Sequence, residues 1–172
     1  ACANLLSATG HYGKPNNGLI GVWPHGNTMG AWDMGVHPTG QSVAEVTSGA
    51  KAAYLVGTDP AGDGDDVRAE FVVVQELFLT DTAKRADVVI PAQSFVEREG
   101  TYTNGERRVQ RFYPGVPSRG LAQGDWRIAA EIGNRMGLSL KASSPAAVML
   151  EIAQEIPAYE GLTYQQLAQV EK

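Results

Sequence analysis

Three short apolar runs decide most of what this chain can become: "AAYLV" at 52–56, "FVVVQ" at 71–75 and "DVVIP" at 87–91. Each is continuous rather than alternating and rich in β-branched residues, which predicts strands buried on both faces, as in a parallel sheet. The turn-rich "GTDPAGDGDD" separates the first two, and "TDTAKRA" (80–86) predicts a short helix with Thr80 or Asp81 at its N-terminus. "GQSVAEVTSGA" predicts another short helix ahead of the first strand. Ligands of such sheets gather beyond the carboxyl ends of the strands. Those ends are Gly57-Thr58-Asp59, Gln75-Glu76 and Ala92-Gln93-Ser94.

The flanks are different in kind. "ACANLLSATG" lacks an initial Met and reads as the end of a helix stopped at Gly10, which predicts a piece cut from a longer chain. Residues 11–40 are glycine-rich without helical or alternating periodicity, yet Leu19, Ile20, Val22, Trp23, Met29, Trp32 and Met34 predict an ordered, packed segment. After residue 112 the pattern turns helical. Asp125 is placed to cap a helix burying Ile128, Ile132 and Met136, with Gly137 at its exit. Ser144-Pro145 starts a second that buries Val148, Ile152 and Ile156. Thr163 and Gln166 form a capping box, stapled by Leu162 and Leu167, for a third. The predicted class is α/β: a mostly parallel, Rossmann-like sheet with flanking helices, a glycine-rich N-terminal segment and a helical C-terminal third. The predicted divisions are 1–40, 41–137 and 138–172.

A formal charge of −5 argues against a nucleic-acid binder, which needs dense basic surface. One cysteine, Cys2, excludes an internal disulfide or a Cys-x-x-Cys pair and fits a reducing compartment. No apolar run approaches the roughly 18 residues of a membrane helix. The acidic loop from Asp63 puts Arg68 where a calcium loop needs Gly, and Val74 where it needs a bidentate Glu. His11, His25 and His37 lack the close pairing of zinc ligands. No nucleophile motif or phosphate loop is present, so no catalytic residue and no metal ligand is predicted.

The densest chemistry lies at 97–112, "EREGTYTNGERRVQRF", with four arginines and three glutamates. Guanidinium forks bind phosphate bidentately, and hydroxyls at a helix start favour anions, so this stretch and the strand ends can build an anion-binding rim. Arginines paired to Glu97, Glu99 and Glu106 across a solvated hairpin account for the same composition.

"VVVQELFLTDTAKRADVVIPAQSFVEREGTYTNGERRVQRF" closely resembles the molybdopterin oxidoreductase family, in which a strand is followed by F-x-T-E-T-A, A-D-V-V-L-P and E-x-x-G-T-F/Y-T-N-x-E-x-R-V-Q. "YLVGTDP" is similar to that family's G-x-N-P loop, and "GLIGVWPHGNTMGAWDMGVHP" to its glycine-rich N-x-x-G-A-x-D-M-G-x-x-P segment. The likeness runs from about residue 3 to 137. Within the family the chain most resembles the large iron–sulfur subunit of NADH-quinone oxidoreductase (respiratory complex I), in its "GTYTN" and "GTDPAGDGDD" stretches, and that membership is the leading expectation. It also resembles the formate dehydrogenase α subunit, of which "ERRVQR" is typical.

The resemblance implies a domain whose sheet rim grips a bis-molybdopterin guanine dinucleotide. Carried over by motif, Gly57, Thr58, Asp59, Thr80, Thr82, Lys84 and Asn104 line its pocket, and Arg107 and Arg108 lie near its phosphates. Asp59 stands where Asn is usual, and Glu76 where Asp is usual. The carboxylate at 59 removes an N–H donor and adds negative charge near a pyrophosphate. The family's iron–sulfur cysteines and molybdenum ligand belong to upstream sequence absent here. As a piece of complex I the chain is expected to be a scaffold in NADH-to-quinone electron transfer, without activity of its own. Its expected partners are then the upstream part of the same chain and the neighbouring proteins of the peripheral arm, on the cytoplasmic side of the membrane. As part of a formate dehydrogenase it retains part of a cofactor site.

Overall fold

The computed structural model describes residues 1–169. It divides into two compact units, one of Ala1–Val36 with Thr101–Gln110, the other of His37–Gly100 with the chain from Arg111 onward. Helix α1 spans Cys2–Ala8 and ends before Gly10, whose φ of +67° suits glycine. Inside the glycine-rich segment a short α2 spans Thr28–Asp33. Sequence periodicity misses it because six residues with one glycine carry no repeating apolar face.

The second unit begins with α3, Val43–Thr47, closed by a reciprocal capping box between Ser42 and Glu45. Strands β1 (Ala53–Val56), β2 (Val72–Glu76) and β3 (Val88–Pro91) then pair in the order β1-β2-β3, both pairs parallel. The register sets Val56 beside Gln75 and Gln75 beside Ile90, so the three carboxyl ends are level. Val74, at the centre, is fully buried.

The predicted sheet is present, but its faces are less covered than continuous apolar runs imply. Tyr54, Val56, Val88 and Val89 all keep substantial exposure. The reason is in the connections. Parallel neighbours are usually joined through an α-helix that packs on the sheet, whereas 57–71 crosses as a loop and 77–87 contains only a 3-10 turn, Ala83–Arg85. The cap residue of that turn is Thr82 rather than the predicted Thr80 or Asp81, while the Thr80 hydroxyl accepts from the Ala83 N–H at 3.1 Å. The turn ends at Ala86, whose φ of −74° and ψ of 149° are extended and lead the chain into β3.

Strands β4 (Gly100–Thr103) and β5 (Val109–Phe112) form a separate two-stranded ribbon. Helix α4, Asp125–Arg135, follows. Gly124 occupies the cap position predicted for Asp125, which is the first helical residue and directs its carboxylate to other side chains. Ile128 is buried as expected, but Met136 is 81% exposed because it lies past the last turn. Helix α5, Pro145–Glu155, is capped by the Ser144 hydroxyl. It buries Met149, one position beyond Val148, while Val148, Ile152 and Ile156 are half-buried. Helix α6, Tyr164–Gln169, begins with the expected capping box, the Thr163 N–H donating to Gln166 Oε1 at 2.9 Å and the Gln166 N–H to Thr163 Oγ1 at 3.2 Å. Among the described residues no helix is long and apolar enough to cross a membrane.

Candidate functional site

The level carboxyl ends of β1, β2 and β3 open onto a cavity of about 260 Å³. Val56, Leu77 and Phe95 supply apolar walls; Gln93, Ser94 and Arg98 supply donors; Glu76 and Asp125 supply carboxylates. Beneath it runs a polar chain. The Tyr54 hydroxyl donates to Gln75 Oε1, Gln75 Nε2 donates to Asp125 Oδ1 at 2.7 Å, and Arg98 Nη1 pairs with Asp125 Oδ2. Gln75 is 2% exposed, so its amide depends on these partners. At the first position of α4 the Asp125 carboxylate also meets the positive end of the helix. The Nε of Arg98 is buried without a hydrogen-bond partner among the described residues.

At the tip of β1 the chain turns through Gly57, φ +62°, a conformation side chains disfavour. Exposed Thr58 follows. Asp59 Oδ1 accepts from the Thr82 hydroxyl at 2.6 Å, the Thr82 N–H at 2.8 Å and the Gly62 N–H at 3.3 Å. The Thr82 hydroxyl, foremost, and then its N–H hold this carboxyl down at about pKa 2. Thr82 is thereby occupied, since its hydroxyl also accepts from the Ala61 N–H at 2.9 Å. It braces the loop and has no hydrogen left to offer a ligand. An amide at position 59 would present the same Oδ1 acceptor, so the carboxylate preserves the loop and changes its charge and the donor at its second atom.

A depressed acid stabilises the fold above its unfolded pKa of roughly 4 and loses that contribution as pH falls through its folded value. Between about pH 4 and pH 2, wild-type melting temperature should therefore fall more steeply than that of Asp59→Asn. Parallel curves across that window, followed by circular dichroism, would contradict the brace. Lys84 pairs with Asp81 at 2.8 Å on the surface, and Thr80 serves the 3-10 turn.

The other predicted residues belong to the first unit. Asn104 Oδ1 accepts from the N–H groups of Glu106 (3.0 Å) and Arg108 (2.9 Å), closing the tip of the β4–β5 ribbon. Arg107 sits there at φ +62° and pairs with Asp33 at 3.4 Å. The tip and the glycine-rich segment together line an open groove of about 840 Å³. The glutamates do not simply pair across the ribbon. Glu99 binds Arg111 at 2.9 Å, while Glu97 takes the N–H groups of Ser94 (2.8 Å) and Arg119 (2.9 Å). Gln93 and Ser94 line the cavity as their strand-end position predicts, whereas sequence reasoning misses Arg98 and Asp125 as members of it. Their only signal is position, just past β3 and at the first turn of α4.

Residues 1–135 match the family description "Molybdopterin oxidoreductase". The chain belongs to the molybdopterin oxidoreductase family. Similar curated members include the putative formate dehydrogenase YrhE of Bacillus subtilis, 34% identical over 97% of this chain and 21% of the relative. The probable oxidoreductase YjgC of the same organism is 32% identical with the same coverage. The F420-dependent formate dehydrogenase 2 subunit alpha of Methanococcus maripaludis is 34% identical over 97% of this chain and 31% of the relative. The chain thus spans between a fifth and a third of these family members. Each alignment runs over 209 positions against 172 residues, so the relatives carry insertions between the matched blocks.

The strand-tip cavity is a partial fit to the family's cofactor. It is smaller than the roughly 300–1,000 Å³ of sites that enclose whole drug-sized ligands. Its mixed donors and carboxylates, between apolar walls, suit one flat ring with a hydrogen-bonding edge, and the unpartnered Nε of Arg98 lies on a residue of its lining.

Proposed function

We propose that this chain is a segment of a molybdopterin enzyme of the formate dehydrogenase type, contributing part of the binding site for a pterin guanine dinucleotide. The observation that carries the proposal is the strand-tip cavity, with Gln93, Ser94, Glu76 and Arg98 around one ring-sized space. Relatives named as formate dehydrogenases support this side of the family resemblance over the complex I side. When bound, the cofactor supplies the redox chemistry. The chain's own part is to bind and orient: within the second unit the strand ends and Gly57 accept the ring and its sugar, and within the first unit, taken by itself, the Arg107 and Arg108 guanidinium groups are suited to phosphate. No proton transfer is assigned to these residues.

A second reading, a scaffold within complex I, draws on one observation. The ionised Asp59 at the β1 tip, with Thr82 turned inward, is a poor neighbour for a pyrophosphate. The experiment that separates the two is metal and pterin analysis of the whole encoded protein, expressed in cells that make the cofactor. Stoichiometric molybdenum or tungsten with a guanine-bearing pterin, and reduced content of both in the isosteric Gln93→Glu while the protein stays folded, is the expected result. A fully folded protein free of metal and pterin leaves the scaffold reading standing.

A further inference from the structure

The ribbon tip combines features that do not persist without support. Arg107 is a non-glycine residue in the left-handed region, and such strain costs energy and persists only where the surroundings over-determine it. Within the tip, Asn104 supplies the turn described above, and the Arg107 N–H returns to the Asn104 carbonyl at 2.9 Å. Three further ties come from residues more than 70 positions away. Asn27 Oδ1 accepts from the Thr103 N–H at 2.9 Å, Asp33 pairs with Arg107, and Gly105 approaches the glycine-rich segment. A Cβ on Gly105 would stand 2.9 Å from the Gly21 carbonyl oxygen, so that approach requires glycine.

Asn27 is the central tie, and its geometry depends on one neighbour. It precedes α2 as the cap residue, yet makes no side-chain capping bond to that helix. Its amide instead folds back over Gly30. A Cβ placed on Gly30 would lie 2.4 Å from Asn27 Oδ1, well inside contact distance. Gly30 is buried, inside a helix, and has no positive φ, so conformational freedom does not explain its choice. Space for the Asn27 side chain does. Thr103, whose N–H reaches the amide oxygen, is itself only 4% exposed.

We infer that Asn27 and Gly30 form a latch that holds the arginine-bearing tip in register: Asn27 is a positioning residue for Arg107 and Arg108, and Gly30 is the space it occupies. That the positioned guanidinium groups serve a phosphate-bearing ligand rests on the proposed function; the latch itself does not.

The test uses the full chain and a double-mutant cycle. Asn27→Ala should raise the exchange rate of the Thr103 amide hydrogen at least tenfold relative to the β1–β2 amides, and Asn27→Asp, which keeps the acceptor, should restore protection. Gly30→Ala in the wild type should have the same local effect and lower the melting temperature. In the Asn27→Ala background the same Gly30→Ala change meets no amide, so it should be neutral or raise the melting temperature, alanine being the better helix former. Unchanged Thr103 protection in Asn27→Ala, or an equal Gly30→Ala penalty in both backgrounds, overturns the latch. Inorganic pyrophosphate is the probe for the ligand. Wild-type binding that weakens at least tenfold in Asn27→Ala and returns in Asn27→Asp supports both ideas. The expected exchange pattern with no pyrophosphate binding removes the cofactor reading and leaves the latch.

Discussion

Asp125→Ala is expected to lower stability by about 2–4 kcal/mol, because it leaves a buried amide donor and a partly buried guanidinium without partners. Gln75 Nε2 loses its acceptor inside the sheet, and Arg98, 27% exposed along its side chain, loses its carboxylate. For a chain of this size the loss corresponds to roughly 4–16 °C in melting temperature. Asp125→Asn should cost less, since one oxygen can still accept from Gln75. Most of the loss comes from stranding Arg98, so adding Arg98→Met to Asp125→Ala should recover part of it. Strict additivity in thermal unfolding would show that these groups do not act as one network.

The second large effect is expected at Arg111. Its guanidinium lies 4.4 Å from the ring centres of both Tyr113 and Tyr164 while bonding Glu99 at 2.9 Å. Its Nε has no hydrogen-bond partner among the described residues, as a cation flanked by two rings allows. Burial, and then the Glu99 charge, push the Tyr164 hydroxyl up to about 12, against the opposing pull of Arg111. Arg111→Ala removes two cation–π contacts and leaves Glu99 unpaired at a partly buried position, a loss of about 2–3 kcal/mol. Tyr164→Phe keeps the ring and should cost well under half as much. Because Tyr164 opens α6, Arg111→Ala should also raise amide exchange across 164–169 before the rest of the second unit. Uniform loosening would mean that the arginine does not anchor that helix.

Much of this architecture is legible from residue order alone. The three apolar runs become strands within a residue of their expected limits, because a β-branched run bounded by turn residues has few other solutions. The predicted capping box at Thr163 forms, since its partner lies three residues away. Choices settled by distant groups are not legible in the same way. Thr82 keeps its helical backbone, but Asp59 claims its hydroxyl and N–H, and Asp125 reads as a cap until Gln75 and Arg98 claim its carboxylate. Topology puts the strand-end loops at the rim, and Gly57 and Glu76 are found there. Gln93 and Ser94 are found there too, and Arg98 joins them only once the loop after β3 fixes its position. Helix α2 and its amide over Gly30 leave no periodic trace, although the N-x-x-G spacing is visible in the chain.

The connections that lack α-helices have a practical consequence. β1 pairs with β2 along one side, and among the described residues no strand borders its other side. Tyr54 and Val56 also stay exposed on the same strand. An unprotected border of this kind invites self-association through main-chain bonds. Purification of the 172-residue chain should therefore be limited by concentration-dependent aggregation. A lysine at Val56 should relieve it more than one at Leu138, which is comparably exposed but helix-adjacent.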